Sequence, residues 1–272
     1  MITFYATIAA GDERPSLMPK CAYLYPASSY SLPRFKMRAP IVPDTCTEVA
    51  ADCGGFVAMH RWGGEYQYTA AEYVEWLHKF PRLDWAATMD WCCEPAIADS
   101  QSAIEERQRK TTDAAWEFFT RYRECPWAWV PTIQGWHVED YVRHARSVAP
   151  LVEMMRGYYG HNPAWRVGIG TLCQRADARM IREVAQAVAE ELPGVPLHLW
   201  GVKLAALKAR EALPETVVSV DSAAWNSRFG SGCEAFHGSG MTQREYGYRV
   251  ALPEYLAKFN RAISRPKQRV LF

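Results

Sequence analysis

Five polar or glycine residues stand directly behind short apolar runs. Asp90 follows residues 85–89, Gln134 follows 127–133, Gly170 follows 166–169, Gly201 follows 196–200 and Asp221 follows 216–220. Taken singly, such a residue is ordinarily a turn former or a helix cap. Gathered on one rim, acids, an amide and glycines can read the edges of a flat polar heterocycle and let backbone approach it closely. The set contains no metal cluster. Cys92-Cys93 lacks the spacing of a zinc pair, and Cys233 with His237 has no partner pair nearby. There is no Gly-x-x-x-x-Gly-Lys-Ser/Thr phosphate loop and no Gly-x-Ser-x-Gly elbow. His60, His137, His144 and His161 lie in separate segments and are expected at the surface or at caps.

The elements that must position these residues alternate in kind. Residues 2–8 read as a strand. The apolar run 54–59 precedes a helix near 70–80, with Tyr73, Trp76, Leu77 and Phe80 on one face. Run 85–89 precedes a long amphipathic helix over 101–123. Strands at 127–133, 166–170, 196–200 and 216–220 precede helices at 138–158, 176–192, 203–212 and 251–263. Residues 26–48, rich in Pro and Ser, read as a loop. About seven strand-then-helix units predict a parallel sheet with helical crossovers. An open doubly wound sheet and a closed barrel both suit this rhythm. The unit count and the absence of a Gly-x-Gly-x-x-Gly turn after the first strand favour a compact α/β fold, a (β/α)8 TIM-type barrel, as one domain over residues 1–272. Chemistry in a barrel belongs at the C-terminal ends of the strands, where the polar set falls.

Composition narrows the class further. The 272 residues are 49% hydrophobic and 22% charged, enough for a large core and against disorder. No apolar run is long enough to cross a membrane, and the first ten residues lack the basic start of a secretory signal. A cytoplasmic protein without membrane contact is expected. The 31 basic and 30 acidic residues give a net charge of +1, which neither supports nor excludes nucleic acid. Eight scattered cysteines are expected to be reduced. The 11 tryptophans are expected mainly in packing, though aromatic planes also stack on bases.

Six short segments, in order over roughly residues 50–225, resemble the motifs of the tRNA-guanine transglycosylases. Asp52-Cys-Gly-Gly-Phe56 resembles Asp-Ser-Gly-Gly-Phe/Tyr, and Met89-Asp-Trp-Cys-Cys-Glu-Pro95 resembles Phe-Asp-Glu-Cys-x-Pro. Ile133-Gln-Gly135 is similar to Val-Gln-Gly, and Val167-Gly-Ile-Gly-Thr-Leu172 to the Ile-Gly-Gly-Leu stretch. Leu199-Trp-Gly-Val202 resembles Leu-Met-Gly-Val, and Val220-Asp-Ser222 the Phe-Asp segment that carries the nucleophile. Three departures stand out. Thr171 replaces the second glycine of Gly-Gly-Leu, Val220 replaces the Phe, and of the family's zinc-binding Cys-x-Cys-x-x-Cys plus His cluster only Cys233 remains. The compact, diverged form looks most like the DNA-modifying branch, DpdA, found in bacterial modification systems and phages.

The resemblance implies a base exchange. Guanine in DNA would be replaced by a free 7-deazaguanine base, such as 7-cyano-7-deazaguanine, through a covalent sugar–Asp intermediate. Asp221 would be the nucleophile and Asp52 the acid/base group. Phe56 would stack on the base and Trp200 close its second face. Asp90 would accept from the Watson–Crick edge, and Gln134 with the Gly135 N–H would meet the carbonyl oxygen. Backbone at Gly170, Thr171 and Leu172 would read the 7-substituent, with Cys92 lining the pocket. No metal and no cofactor are expected. Arg34, Lys36, Arg38, Arg261, Arg265, Lys267 and Arg269 are candidates to meet phosphates. The target base must leave the stack, so flipping or a single strand is implied. Transfer RNA as the polymer, and a catalytically silent base-binding barrel, are the alternatives. Retention of both Asp52 and Asp221 speaks against the silent barrel.

Overall fold

The computed structural model describes residues 2–33, 36–175, 177–207, 213–226 and 234–264. Its strands are β1 Thr3–Thr7, β2 Ala22–Pro26, β3 Val49–Asp52, β4 Trp85–Ala87, β5 Ala128–Val130, β6 Thr132–Ile133, β7 Val167–Ile169, β8 Leu197–Leu199 and β9 Val217–Ser222. They form one sheet in the order β5-β4-β3-β2-β1-β9-β8-β7-β6, and every neighbouring pair is parallel. The two ends of that order are the halves of one chain segment. Pro131 separates β5 from β6 because it has no N–H to give to a ladder. On one side Val130 O accepts from Thr88 N at 3.0 Å, and on the other Pro131 O accepts from Gly168 N at 2.8 Å. Counting the broken strand once, the sheet is an eight-stranded TIM-type barrel.

The helices are α1 Ala27–Tyr30, α2 Gly55–Arg61, α3 Ala70–Leu77, α4 Gln101–Tyr122, α5 Val138–Tyr159, α6 Ala178–Glu191, α7 Leu204–Leu207, α8 Glu234–His237, α9 Gln243–Tyr246 and α10 Leu252–Ile263. Local chemistry fixes their starts. Thr69 and Glu72 form a capping box on α3, and Ser100 caps α4 through the Ala103 N–H. Asp177 caps α6, whose Ile181, Val184, Ala185 and Val188 make a buried stripe at helical spacing. No described helix is long and apolar enough to cross a membrane.

Two elements differ from the sequence expectation. The run 54–59 is helix, not strand: α2 starts at Gly55, and the strand of that unit is the preceding Val49–Asp52. The loop expected over 26–48 begins with the last residue of β2 and the short α1. Strand β2 accounts for the eighth unit. Residues 208–212 of the expected helix 203–212 lie outside the described residues.

Tyr5 on β1, Trp85 on β4 and His198 on β8 touch although their strands are not neighbours. The ring centroids are 5.2 Å apart for Tyr5–Trp85, 5.2 Å for Trp85–His198 and 5.8 Å for Tyr5–His198. Such contacts require all three side chains to point into the barrel. Its interior is therefore a packed layer of aromatic and polar groups beneath the C-terminal rim.

Candidate active site

A cavity of about 660 Å³ opens over the C-terminal ends of the strands. Asp52, Phe56, Asp90, Cys92, Gln134, Gly170, Thr171, Leu172, Trp200 and Asp221 all lie on its wall. Six barrel segments deliver them, so residues spread over 170 positions of sequence meet in one cleft. Gly135 does not line it. A Cβ there would lie 2.9 Å from Asp140 Cβ and from Tyr141 N, so this glycine packs against the start of α5.

Asp221 is 6% exposed and held from three sides. Its Oδ1 accepts from the Gly201 N–H at 2.7 Å and faces His198 Nε2 at 3.3 Å; its Oδ2 accepts from Thr7 Oγ1 at 3.2 Å. The turn after β8 makes the first contact possible. Gly201 has φ +68°, and a Cβ there would meet Cys173 Cβ at 2.6 Å. A carboxylate fixed by donors in this way is preorganised, with Oδ2 the less encumbered oxygen.

Asp90 and Gln134 form a second fixed pair. Gln134 Nε2 donates to Asp90 Oδ2 at 2.6 Å, and Gln134 Oε1 accepts from Thr171 Oγ1 at 2.5 Å. Thr171 Oγ1 in turn accepts from the Cys93 N–H at 3.0 Å. That one-way chain sets which end of the amide faces the aspartate. Thr171 has φ +54°, a left-handed conformation rare for a β-branched residue and costing about 1–3 kcal/mol. Glycine would adopt this backbone freely. Here the two hydroxyl bonds hold the strained backbone. Below, His144 is buried rather than at the surface or a cap. Its Nδ1 accepts from the Gln134 N–H at 2.8 Å, and burial lowers its pKa to about 4, so it stays neutral.

Tyr66 clamps Asp90 from the other side. Its hydroxyl donates to the Asp90 carbonyl at 2.8 Å and accepts from the Asp90 N–H at 3.0 Å. The Cys53 thiol donates to Asp90 Oδ1 at 3.3 Å. Helix α2 comes so close that a Cβ on Gly55 would lie 2.0 Å from Asp90 Oδ1, so glycine is required there. Burial lifts Asp90 to a pKa of about 6, against the pull of its Cys53 and Gln134 bonds.

Asp52 ends β3 on the cavity wall. Burial, reinforced by the charges of Asp90 and Asp221, raises its pKa to about 7. Its carboxyl therefore titrates near neutral pH, far above the ordinary carboxylate range. The folded value lies above the usual 3.8, so the stability it contributes is full below about pH 4 and is lost as pH rises through 7. Asp52→Asn removes that titration. The melting temperature of the wild type minus that of Asp52→Asn is expected to fall between pH 5 and pH 8 in calorimetry; a constant difference would show an unperturbed carboxyl.

Phe56 projects into the cleft from α2, its ring centroid 4.4 Å from that of His60. Trp200 meets His198 edge to face, centroids 4.4 Å apart. A family model described as DpdA, DeoxyPurine in DNA protein A, matches residues 10–246. The chain belongs to the DpdA family. The membership makes it a glycosyltransferase-type enzyme of DNA modification, with DNA as its substrate. No curated protein matches the chain.

Several features of this DpdA barrel escaped the motif-based reading. His198, Ser219 and Arg166 are buried behind Asp221, and the partly buried Tyr66 stands behind Asp90. Exposed Arg61 and Lys203 stand at the cavity mouth, with no ion-pair partner among the described residues. Of the expected phosphate contacts, Arg38 is engaged elsewhere, bound to Glu13 at 2.6 Å. Lys36 and Arg261 are exposed but are not on the cavity wall. Arg34, Arg265, Lys267, Arg269 and Cys233 lie outside the described residues.

Proposed function

We propose that the protein exchanges guanine in DNA for a 7-deazaguanine base in two displacements at one sugar carbon. Asp221 Oδ2 attacks C1′ of the target nucleoside from the face opposite the base. The C1′–N9 bond breaks, its electron pair leaves with guanine, and the departing base takes up a proton from Asp52. The incoming base gives its N9 proton back to Asp52 and attacks C1′, releasing Asp221 as a carboxylate. Two inversions restore the original configuration.

The observation that carries this reading is the division of labour between two carboxyls in one cavity. Asp221 is gripped by a backbone N–H and two side chains, as a nucleophile must be. Asp52 is raised to about 7, near the pH at which one group best gives and takes a proton. Asp90 supplies carboxylate oxygens to the donors of a guanine-like edge, and Gln134 an amide hydrogen to its carbonyl. Phe56 and Trp200 offer aromatic faces to the base. DNA is the polymer the family description points to. An extrahelical nucleotide must enter, as the reacting groups lie on the cavity wall.

Denaturing gels test the reading. Incubation with guanine-containing single-stranded DNA, duplex DNA and tRNA should give a protein–DNA adduct that survives denaturant. An adduct with tRNA alone would reassign the polymer. The absence of an adduct with all three would remove the covalent mechanism.

Arg61 and Lys203 flank the mouth, where the backbone of an extruded nucleotide would pass. Arg61→Ala and Lys203→Ala are each expected to weaken DNA binding without regard to sequence. Each should also flatten the slope of log affinity against log salt by about 1. Unchanged slopes in fluorescence titrations over a salt series would place the DNA path elsewhere.

A further inference from the structure

His198 is fully buried in β8 between Leu197 and Leu199. From β9 it is faced by Ser219 and Asp221, from β1 by Tyr5, from β4 by Trp85, and from the residue before β7 by Arg166. Burial keeps the imidazole neutral, so it carries one proton, and the surrounding bonds decide where. Arg166 Nη1 donates to Ser219 Oγ at 2.8 Å. A guanidinium accepts nothing, so the Ser219 hydroxyl hydrogen is left for His198 Nδ1 at 2.9 Å. With Nδ1 an acceptor, the proton sits on Nε2, 3.3 Å from Asp221 Oδ1. Donation therefore runs one way, from Arg166 through Ser219 and His198 to the carboxylate.

The head of the chain is firmly set. Arg166 Nε donates to the Ala164 carbonyl at 2.8 Å, and Nη2 pairs with Glu48 Oε2 at 3.3 Å. Nη1 also reaches Tyr5 Oη at 3.2 Å, and the guanidinium lies 5.3 Å from the Trp85 ring centre. Aliphatic side chains would fill a barrel interior without needing these partners. What the polar chain adds at its far end is a donor on the one carboxylate of the cleft that accepts the Gly201 N–H.

We propose that Arg166, Ser219 and His198 are positioning residues for Asp221: they deliver an N–H to Oδ1 and leave Oδ2 to attack the sugar. The inference rests on Asp221 being the nucleophile. The His198 proton stays on Nε2 throughout, since the attacking carboxylate gives up no proton.

Two measurements decide it. Nitrogen-15 NMR of histidine-labelled wild type should show His198 protonated at Nε2 and bare at Nδ1 from pH 6 to 8. An Nδ1–H tautomer, or an imidazolium, would overturn the proposal whether or not any variant folds. Adduct formation with a guanine-containing single-stranded oligonucleotide is the second. His198→Leu should lower the maximal rate roughly 10- to 100-fold, the worth of a hydrogen bond to a charged group, with the DNA concentration for half-maximal rate unchanged. His198→Gln, which keeps a side-chain N–H donor, should recover most of the loss. A folded His198→Leu with the wild-type rate, or a His198→Gln as impaired as His198→Leu, would contradict the positioning role. Asp221→Asn run in parallel separates the two claims. If it forms the adduct, the nucleophile reading fails; if it is inert beside an unimpaired His198→Leu, only the positioning role fails.

Discussion

Asp221→Asn should give a folded protein that neither exchanges base nor forms an adduct with DNA. The amide keeps the shape of the carboxylate but has no charged oxygen to attack C1′. It also changes the local bonding. Gly201 N–H, His198 Nε2 and Thr7 Oγ1 surround the two oxygens, and an amide nitrogen placed among them would set donor against donor. The barrel should survive, since the residue sits at the rim, above the packed interior. Circular dichroism checks the fold, and release of labelled guanine from DNA checks the chemistry. Residual exchange at the wild-type rate would mean that another group bonds to the sugar.

Asp52→Asn is expected to slow exchange by about 10²–10⁴-fold, the usual contribution of a placed proton-transfer group. Unlike the first variant it keeps the nucleophile, so the adduct should still form, and should accumulate if its breakdown suffers more than its formation. The pH profile gives a second handle. Base departure needs the protonated form of a group with a pKa of about 7, so the wild-type rate of departure should fall as pH rises past 7. The variant should lack that limb. A folded Asp52→Asn with full activity and an unchanged profile would move the acid/base role to another group, with Asp90, at about 6, the first to examine.

How much of this was legible in sequence depends on whether a residue's role is local. Asp90, Gln134, Gly170 and Asp221 follow apolar runs, and a strand end in a parallel barrel is a site position, so alternation alone placed them on one rim. Helix α6 was equally readable, because its stripe repeats at helical spacing. Strand β2 was not: Ala22-Tyr-Leu-Tyr-Pro26 runs into a Pro- and Ser-rich stretch whose composition reads as loop, and only pairing with β1 and β3 makes it a strand. The run 54–59 misled for the opposite reason. Its apolar residues suit a strand, but two glycines let a helix begin against Asp90. Gly135 sits in a motif yet serves packing against α5, a distinction only the neighbouring helix reveals. His198 and Ser219 left a usable trace, each a polar residue alternating with apolar ones in a strand, which is how an inward-facing polar layer is written. The turn at Thr171 left none, since a threonine at positive φ cannot be foreseen from its type.

Transfer of labelled guanine into polymer tests the central claim most directly. Protein is mixed with the labelled base and, in parallel, with single-stranded DNA, duplex DNA and tRNA, and the label in each polymer is counted after digestion to nucleosides. The account predicts label in the deoxyguanosine of DNA, none with Asp221→Asn, and competition by an unlabelled 7-deazaguanine. Label confined to tRNA, or equal incorporation by wild type and Asp221→Asn, would contradict it.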